Sequence, residues 1–343
     1  MISKLTVLVP VFDEITLIEN FTKKLLLTFK DTPTKFIFVD DGSKDGSDKW
    51  LSKNLPIICK GNNFELILLE KNYGKGYAIR KGLEKAKSEY ILCIDSDLEY
   101  DPKDALEIYK IAKANDKIDV IYGSRYLGGK IQLRKHFLND IAVRINTYLF
   151  NLLFDQSLTD LHTGTKVIKK DLIDKLNLTL NGFGLEIDMS SQIAKQNVSI
   201  YEYGISYVER TKFQGKKINF IDGILSYYFL FKTRFLQNNL QTSLSVIYSF
   251  IFTLYSATFF TNGNFKYLLM IFLAPIGLML GINRRIIPLS ILFLLLYIGN
   301  IINFLEYKTY ILLIFFIFGF FVSKKITNYF KNTKKNFIMK LLI

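Results

Sequence analysis

"YILCIDSDLEYDP", residues 90–102, decides how the chain is read. An apolar run ends in four acids within seven residues: Asp95, Asp97, Glu99 and Asp101. Acids this close repel one another unless positive charge sits among them. Three readings compete: a metal site, a solvated turn and a calcium loop. An EF-hand loop needs glycine at its sixth position and glutamate at its twelfth. Counted from Asp95, those places hold Tyr100 and Leu106, which removes the calcium loop. "DDGSKDGS" (40–47) fails the same test, and "NYGKGYA" (72–78) lacks the P-loop spacing. A DxD at the end of a strand remains. Its two carboxylates converge on one cation only where the strand bends into a turn. Mg²⁺ or Mn²⁺ held by one or two carboxylates, and completed by phosphate oxygens, is the usual arrangement for a nucleotide diphosphate. Asp101 precedes Pro102 and reads instead as a helix cap.

Outward from this stretch, strands and helices alternate. "KLTVLVP" (4–10), "KFIFVD" (35–40), "FELILLE" (64–70), "YILCI" (90–94) and "KIDVIYG" (117–123) are continuous apolar runs. Segments with helical spacing lie between them, at 14–29, 74–87 and 102–114. This pattern predicts an α/β domain with a mostly parallel sheet covered on both faces. In such sheets ligands bind beyond the carboxyl ends of the strands. The unusual residues cluster at those ends: Pro10 to Glu14, Asp40 to Gly42, Asn72 to Gly76 and Asp95 to Asp101.

Composition sets the domain plan. The chain has 343 residues, a formal net charge of +14 and half its residues hydrophobic. Residues 241–323 hold only five charged side chains, Lys266, Arg284, Arg285, Glu306 and Lys308. They read as four membrane spans, at about 243–261, 265–282, 286–305 and 308–323. Basic residues cluster before the first span, between the second and third, and after 323, which predicts both termini in the cytoplasm. The N-terminus is no signal peptide, because its apolar stretch is short and broken by Pro10. The basic residues form no nucleic-acid motif, so an anionic membrane surface or phosphorylated ligands are the expected partners. Cys59 and Cys93 imply neither zinc nor a disulfide framework. Two amphipathic segments, 137–154 and 217–232, read either as core-packed helices or as helices lying on a bilayer. The plan is a catalytic domain (1–216), an interfacial helix (217–234), a transmembrane bundle (235–323) and a basic tail (324–343).

"VLVPVFDE" (7–14), "VDDGSKDGS" (39–47), "EKNYGKGYAIRKGL" (70–83), "DSDLEYDP" (95–102) and "YGSRYLGG" (122–129) follow in this order. "LTDLHTGTKV" (158–167), "NGFGLEIDM" (181–189) and "YVERTKFQGKKI" (207–218) continue the series. Together, over residues 5–220, they resemble inverting family 2 glycosyltransferases, and within these the dolichyl-phosphate mannose synthase-like enzymes. The resemblance implies a GT-A type nucleotide-sugar domain, followed in some relatives by a four-helix membrane domain that can also self-associate. It places Pro10, Asp13, Glu14, Asp40, Asp41, Lys75, Asp95, Ser96, Arg210 and Lys216 around the nucleotide sugar. Asp95 and Asp97 would hold Mg²⁺ or Mn²⁺, with Glu99 as a third ligand where relatives often carry glutamine. Ser124, Arg125 and Arg134 would bind the acceptor phosphate. Asp160 is the best remaining carboxylate for a catalytic base; His162 is expected to be structural and Asp188 to lie on a helix surface.

The expected acceptor is a polyprenyl phosphate. A phosphate monoester, with a second pKa of about 6, is largely dianionic near neutrality and is already a nucleophile. Arginines that position it, and a metal on the leaving diphosphate, then suffice. A hydroxyl acceptor would demand a base. The alternatives are a membrane enzyme acting on a hydroxyl and a non-catalytic assembly module. Processive synthases of the first kind carry a QxxRW motif, but here the single tryptophan, Trp50, stands outside any such motif.

Overall fold

The computed structural model describes residues 4–61, 63–182, 184–196, 198–211 and 220–236. Contacts group the chain into one unit ending at Thr233 and a second beginning at Arg234. The four apolar segments after residue 242 lie outside the described residues, as do Lys216 and Lys217. Among the described residues, no helix is long and apolar enough to cross a membrane.

The strands are β1 (Leu5–Val11), β2 (Thr34–Asp40), β3 (Asn63–Leu68), β4 (Tyr90–Cys93), β5 (Val120–Ser124), β6 (Gln132–Leu133), β7 (Lys166–Lys169), β8 (Ile200–Gly204) and β9 (Tyr207–Val208). Seven form one sheet in the order β3-β2-β1-β4-β7-β5-β8, and β6 pairs with β9. All neighbours in the large sheet run parallel except β7, which is antiparallel to both β4 and β5. The helices are α1 (Ile18–Phe29), α2 (Ser47–Ile58), α3 (Lys75–Lys85), α4 (Pro102–Ala114), α5 (Phe137–Phe154), α6 (Lys170–Ile173), α7 (Gly184–Lys195) and α8 (Phe220–Phe231).

Strand alternation divides the core in two. Val7 and Val9 of β1, Phe36 and Phe38 of β2, and Leu92 of β4 pack with α1, α2 and α4. Leu8, Ile37, Val39, Ile91 and Cys93 face the other way, toward α3, α5 and α7. Both faces are covered, which is why these strands are apolar throughout. The five strands expected from sequence are present. Helix α2 was not expected: Pro56 lies within it, and its start follows the turn-rich "DGSKDGS". Asp101 caps α4, its Oδ1 accepting from the Lys103 amide at 3.0 Å.

Helix α5 has one buried and one exposed apolar face. Asn146, Thr147, Phe150 and Phe154 are buried against the domain. Phe137, Leu138, Ile145 and Tyr148 are exposed. Helix α8 likewise buries Ser226 and Leu230 and exposes Leu225, Tyr227 and Tyr228.

The turn after β2 depends on one glycine. Gly42 has φ +69°, and a Cβ there would lie 2.3 Å from the Lys71 carbonyl carbon. Gly42→Ala combines left-handed strain with a backbone clash. It should lower stability by about 1–3 kcal/mol, read as a drop in the thermal unfolding midpoint of the full chain in detergent.

Candidate functional site

Strand order fixes where a ligand can sit. From β1 the chain moves outward to β2 and β3, whereas β4 continues toward the opposite half of the sheet. The adjacent ends of β1 and β4 therefore flank a crevice of the kind that binds ligands in open α/β sheets. Pro10 to Glu14 leave β1 there, and Asp95 to Glu99 leave β4. Ser96 ties the two ends together, its hydroxyl donating to the Pro10 carbonyl at 3.0 Å.

Two cations organise the acids of this crevice. Arg210 reaches Glu14 at 2.9 Å, Asp97 at 3.1 Å and Glu99 at 3.5 Å. Lys75, the first residue of α3, reaches Asp95 at 2.8 Å and Glu186 of α7 at 2.9 Å. Burial, then the neighbouring Glu99 and Asp95, push the Asp97 carboxyl up to about 7, with Arg210 opposing. Burial works against the charge of Lys75, but Asp95 and Glu186 outweigh it and raise the ammonium above its ordinary range. Glu186 behaves in the opposite sense: burial favours its neutral form, and Lys75 and Lys166 hold it below the usual carboxylate range.

Glu99 is engaged at both oxygens. The Tyr207 hydroxyl donates to one at 2.8 Å and the Arg210 amide to the other at 2.9 Å. Asp95 lies directly against Gly164, where a Cβ would meet its Oδ2 at 2.1 Å. Among the described residues, no group of three or more His, Cys, Asp or Glu side chains is arranged to hold a metal. Asp95 and Asp97 are a two-carboxylate set of hard oxygen donors. Asp97 shares the single charge of Arg210 with Glu14 and Glu99, which leaves the acids in excess, and a divalent cation completed by phosphate oxygens fits that donor set.

The other expected nucleotide residues mostly build loops. Asp13, at φ 49°, accepts the Lys44 amide at 2.7 Å. Asp40 holds Ser43, whose amide donates to it at 2.9 Å. Asp41 accepts the Tyr73 and Gly74 amides at 2.9 and 2.8 Å. These bonds pin the loops after β1, β2 and β3 to one another. Burial raises both the Asp40 and the Asp41 carboxyls.

The second half of the site follows β5. Arg125 donates Nε and Nη2 to the two Asp160 oxygens, each at 2.7 Å. Asp160 is fully buried; burial favours its neutral form, yet Arg125 holds it below the usual range. Asp160 is thus the counter-ion of Arg125, and an acid locked in a bidentate pair is a poor proton acceptor. Ser124 is also buried; its Oγ accepts the Tyr126 and Leu127 amides at 3.0 and 3.3 Å and so shapes the turn. Arg134 donates to the Arg125 carbonyl, and its guanidinium lies 4.4 Å from the centre of the Tyr126 ring. Tyr207 links the two halves, with its ring under Arg125 at 5.2 Å and its hydroxyl on Glu99.

Several residues went unrecognised in the sequence. Glu186 stands in an apolar run, "GLEI", the one visible sign that it needs a buried partner. Tyr207 opens "YVERTKFQGKKI" with nothing there to mark a role, and Glu202 lies in no motif; Glu202 accepts the Thr159 and Asp160 amides and so fixes the loop that carries Asp160. Asp188 corrects an expectation: it is fully buried and accepts the Thr179 and Leu180 amides at 2.7 and 3.0 Å. His162 is structural as expected, its Nε2 2.9 Å from the Asn146 amide, and burial lowers its pKa to about 4.

The sequence profile of "Glycosyl transferase family 2" matches residues 6–176. These residues are a family 2 glycosyltransferase domain. An undecaprenyl-phosphate 4-deoxy-4-formamido-L-arabinose transferase of Proteus mirabilis (strain HI4320) is 30% identical over 122 residues, 35% of this chain and 36% of that protein. A dolichyl-phosphate beta-glucosyltransferase of Dictyostelium discoideum is 26% identical over 183 residues, 51% of this chain and 55% of that protein. The chain thus spans between about a third and a half of these relatives. The glucosyl-3-phosphoglycerate synthase of Mycobacterium tuberculosis, solved with Mn²⁺, UDP and glucosyl-3-phosphoglycerate, superposes with a TM-score of 0.52 at 15% identity. It covers 68% of this chain and 80% of its own, a likeness of fold.

Removing Arg125 strands a buried carboxylate. Arg125→Ala should cost about 3–5 kcal/mol, and Asp160→Asn added to it should recover a large part. Thermal unfolding of the single and double variants, read as a double-mutant cycle, checks this coupling.

Proposed function

We propose that this protein transfers a hexose, with inversion, from a nucleotide diphosphate sugar of the GDP-mannose or UDP-glucose type to a polyprenyl phosphate. The Arg125–Asp160 pair carries the reading: the carboxylate beside the expected acceptor arginine is already neutralised and held ionised by it. That arrangement offers a cation to a phosphate and no base to a hydroxyl. The phosphate acceptors in the names of the relatives from Proteus and Dictyostelium support the same choice.

In this mechanism Arg125 and Arg134 orient the acceptor phosphate, and one of its oxygens attacks the anomeric carbon. The bond from that carbon to the diphosphate breaks, and the nucleoside diphosphate leaves. Asp95 and Asp97 would hold Mg²⁺ or Mn²⁺, which when bound neutralises charge developing on the leaving group. Arg210 holds Glu14, Asp97 and Glu99 in one cluster, so the ends of β1 and β4 keep a fixed spacing. The loops pinned by Asp13 and Asp41 form the wall on the nucleotide side.

The work is placed at the cytoplasmic face of a membrane, in a protein anchored by its apolar C-terminal third. The exposed Phe137, Leu138, Ile145 and Tyr148 of α5, beside Lys135 and Arg144, suit an anionic lipid surface. The exposed Leu225, Tyr227 and Tyr228 of α8 extend the same chemistry.

Membranes containing the full chain, given a panel of nucleotide sugars, a polyprenyl phosphate and Mg²⁺ or Mn²⁺, should yield a lipid-linked sugar. Transfer to a soluble sugar hydroxyl, with none to the lipid phosphate, would overturn the reading. Asp97→Ala should lower turnover by about 10²–10³-fold. Glu99→Gln should cost less than about tenfold, because the amide oxygen still accepts the Arg210 amide and the Tyr207 hydroxyl can turn to accept from the new NH2. A loss at Glu99→Gln equal to that at Asp97→Ala would make Glu99 a metal ligand after all.

A further inference from the structure

The crevice holds more acids than cations, and the way they are shared has a pattern. Among the described residues, Lys75 and Arg210 serve five carboxylates: Asp95 and Glu186 for the first, Glu14, Asp97 and Glu99 for the second. Each DxD carboxylate therefore shares its cation with at least one acid outside the DxD. Glu186 is the member of this set with no role in the chemistry above. It is buried, its Oε1 meets Lys75, and its Oε2 is buried with no hydrogen-bond partner. An unfilled acceptor on a buried carboxylate is costly, and its retention calls for a reason.

We propose that Glu186 is a positioning residue that serves as the reserve counter-ion for Lys75 and so leaves Asp95 available to a divalent cation. The inference rests on the reading of Asp95 and Asp97 as the metal-holding pair. The ammonium of Lys75 has three N–H donors. It places donors on Asp95 and on Glu186 Oε1. A cation arriving at Asp95 meets Lys75 as a competitor of the same sign. Without Glu186, displacing that ammonium would leave a buried charge with no partner. With Glu186, the ammonium keeps one bond and has an open acceptor, Oε2, for the donor it withdraws from Asp95. The groups around Glu186 agree with this role. Lys166 adds to the field of Lys75 in keeping the carboxylate ionised. Lys166 itself is committed to the Thr163 carbonyl. Gly76 sets the distance: a Cβ there would lie 2.7 Å from the Leu180 carbonyl oxygen and 3.0 Å from Leu185 Cβ, so α3 and α7 approach closely enough for Lys75 to meet Glu186.

The two partners of this ion pair should shift metal affinity in opposite directions. The probe is Mn²⁺ alone, titrated into the detergent-purified full chain without nucleotide and followed by loss of the free-ion EPR signal. Lys75→Met removes the competing cation and should tighten Mn²⁺ binding several-fold. Glu186→Gln keeps Lys75 on Asp95 and removes a negative charge, and should weaken binding on the order of tenfold, the size expected for one nearby charge at high effective dielectric. Glu186→Asp, which keeps the charge, should recover most of that loss. Thermal unfolding of each variant confirms that the domain is folded. A pair that merely holds α3 against α7 would weaken Mn²⁺ binding in both single variants, and that result, or no change in either, overturns the proposal. A wild-type chain that binds no Mn²⁺ overturns the metal reading itself, and this inference with it.

Discussion

Five carboxylates converge where β1 and β4 end, and the domain keeps them together with two cations. The β1–β4 crevice gathers Glu14, Asp95, Asp97 and Glu99, and α7 adds Glu186 from the side. Like charges at such range would drive the strand ends apart without Lys75 and Arg210. Much else in the site serves that balance. Lys75 is the first residue of a helix whose entry loop is pinned by Asp41. Arg210 follows the short strand β9, whose Tyr207 also fixes Glu99. The acids are thus not decoration on a fold formed elsewhere; their neutralisation sets where α3, α7 and β9 must lie.

The same economy explains why the region after β5 looks different. After β5 the cations outnumber their partners locally. Arg125 is matched by Asp160, while Arg134 shares Asp140 with Arg144 and also rests on a carbonyl and an aromatic face. The β1–β4 side thus carries an excess of negative charge, and the side after β5 carries an excess of positive charge. Tyr207 lies between them and keeps Arg125 and Glu99 from pairing directly, one on its ring and the other on its hydroxyl.

How much of this was legible depends on whether a residue's partner lies near it in sequence. The parallel strands and the helices around Ile79 and Ile108 were readable, because their periodicity is local. Pro10, Asp95, Asp97 and Arg210 stood out because they end apolar runs or belong to motifs. Asp160 stood out too, but its role did not, since only the fold brings Arg125 to it across 35 positions. Asp188 reads as a surface acid because nothing local shows its partners; these, the Thr179 and Leu180 amides, lie in the loop before the helix. Glu186 was missed for the same reason, its cation being more than a hundred positions away in α3. Helix α2 escaped because Pro56 reads as a breaker, although a helix tolerates it near its last turn.

The antiparallel strand β7 has a consequence for how such a domain can vary. In a wholly parallel sheet, only the segments that follow strands reach the ligand-binding edge. Because β7 runs the other way, the segment that precedes it arrives at that edge, bringing Gly164 against Asp95 after β4 and Asp160 against Arg125 after β5. One strand reversal therefore gives the crevice an extra wall, drawn from a stretch outside the nucleotide-side loops. The half-sheet β3-β2-β1-β4 and the half-sheet β7-β5-β8 can then diverge separately, with the β4–β7 seam as their fixed boundary.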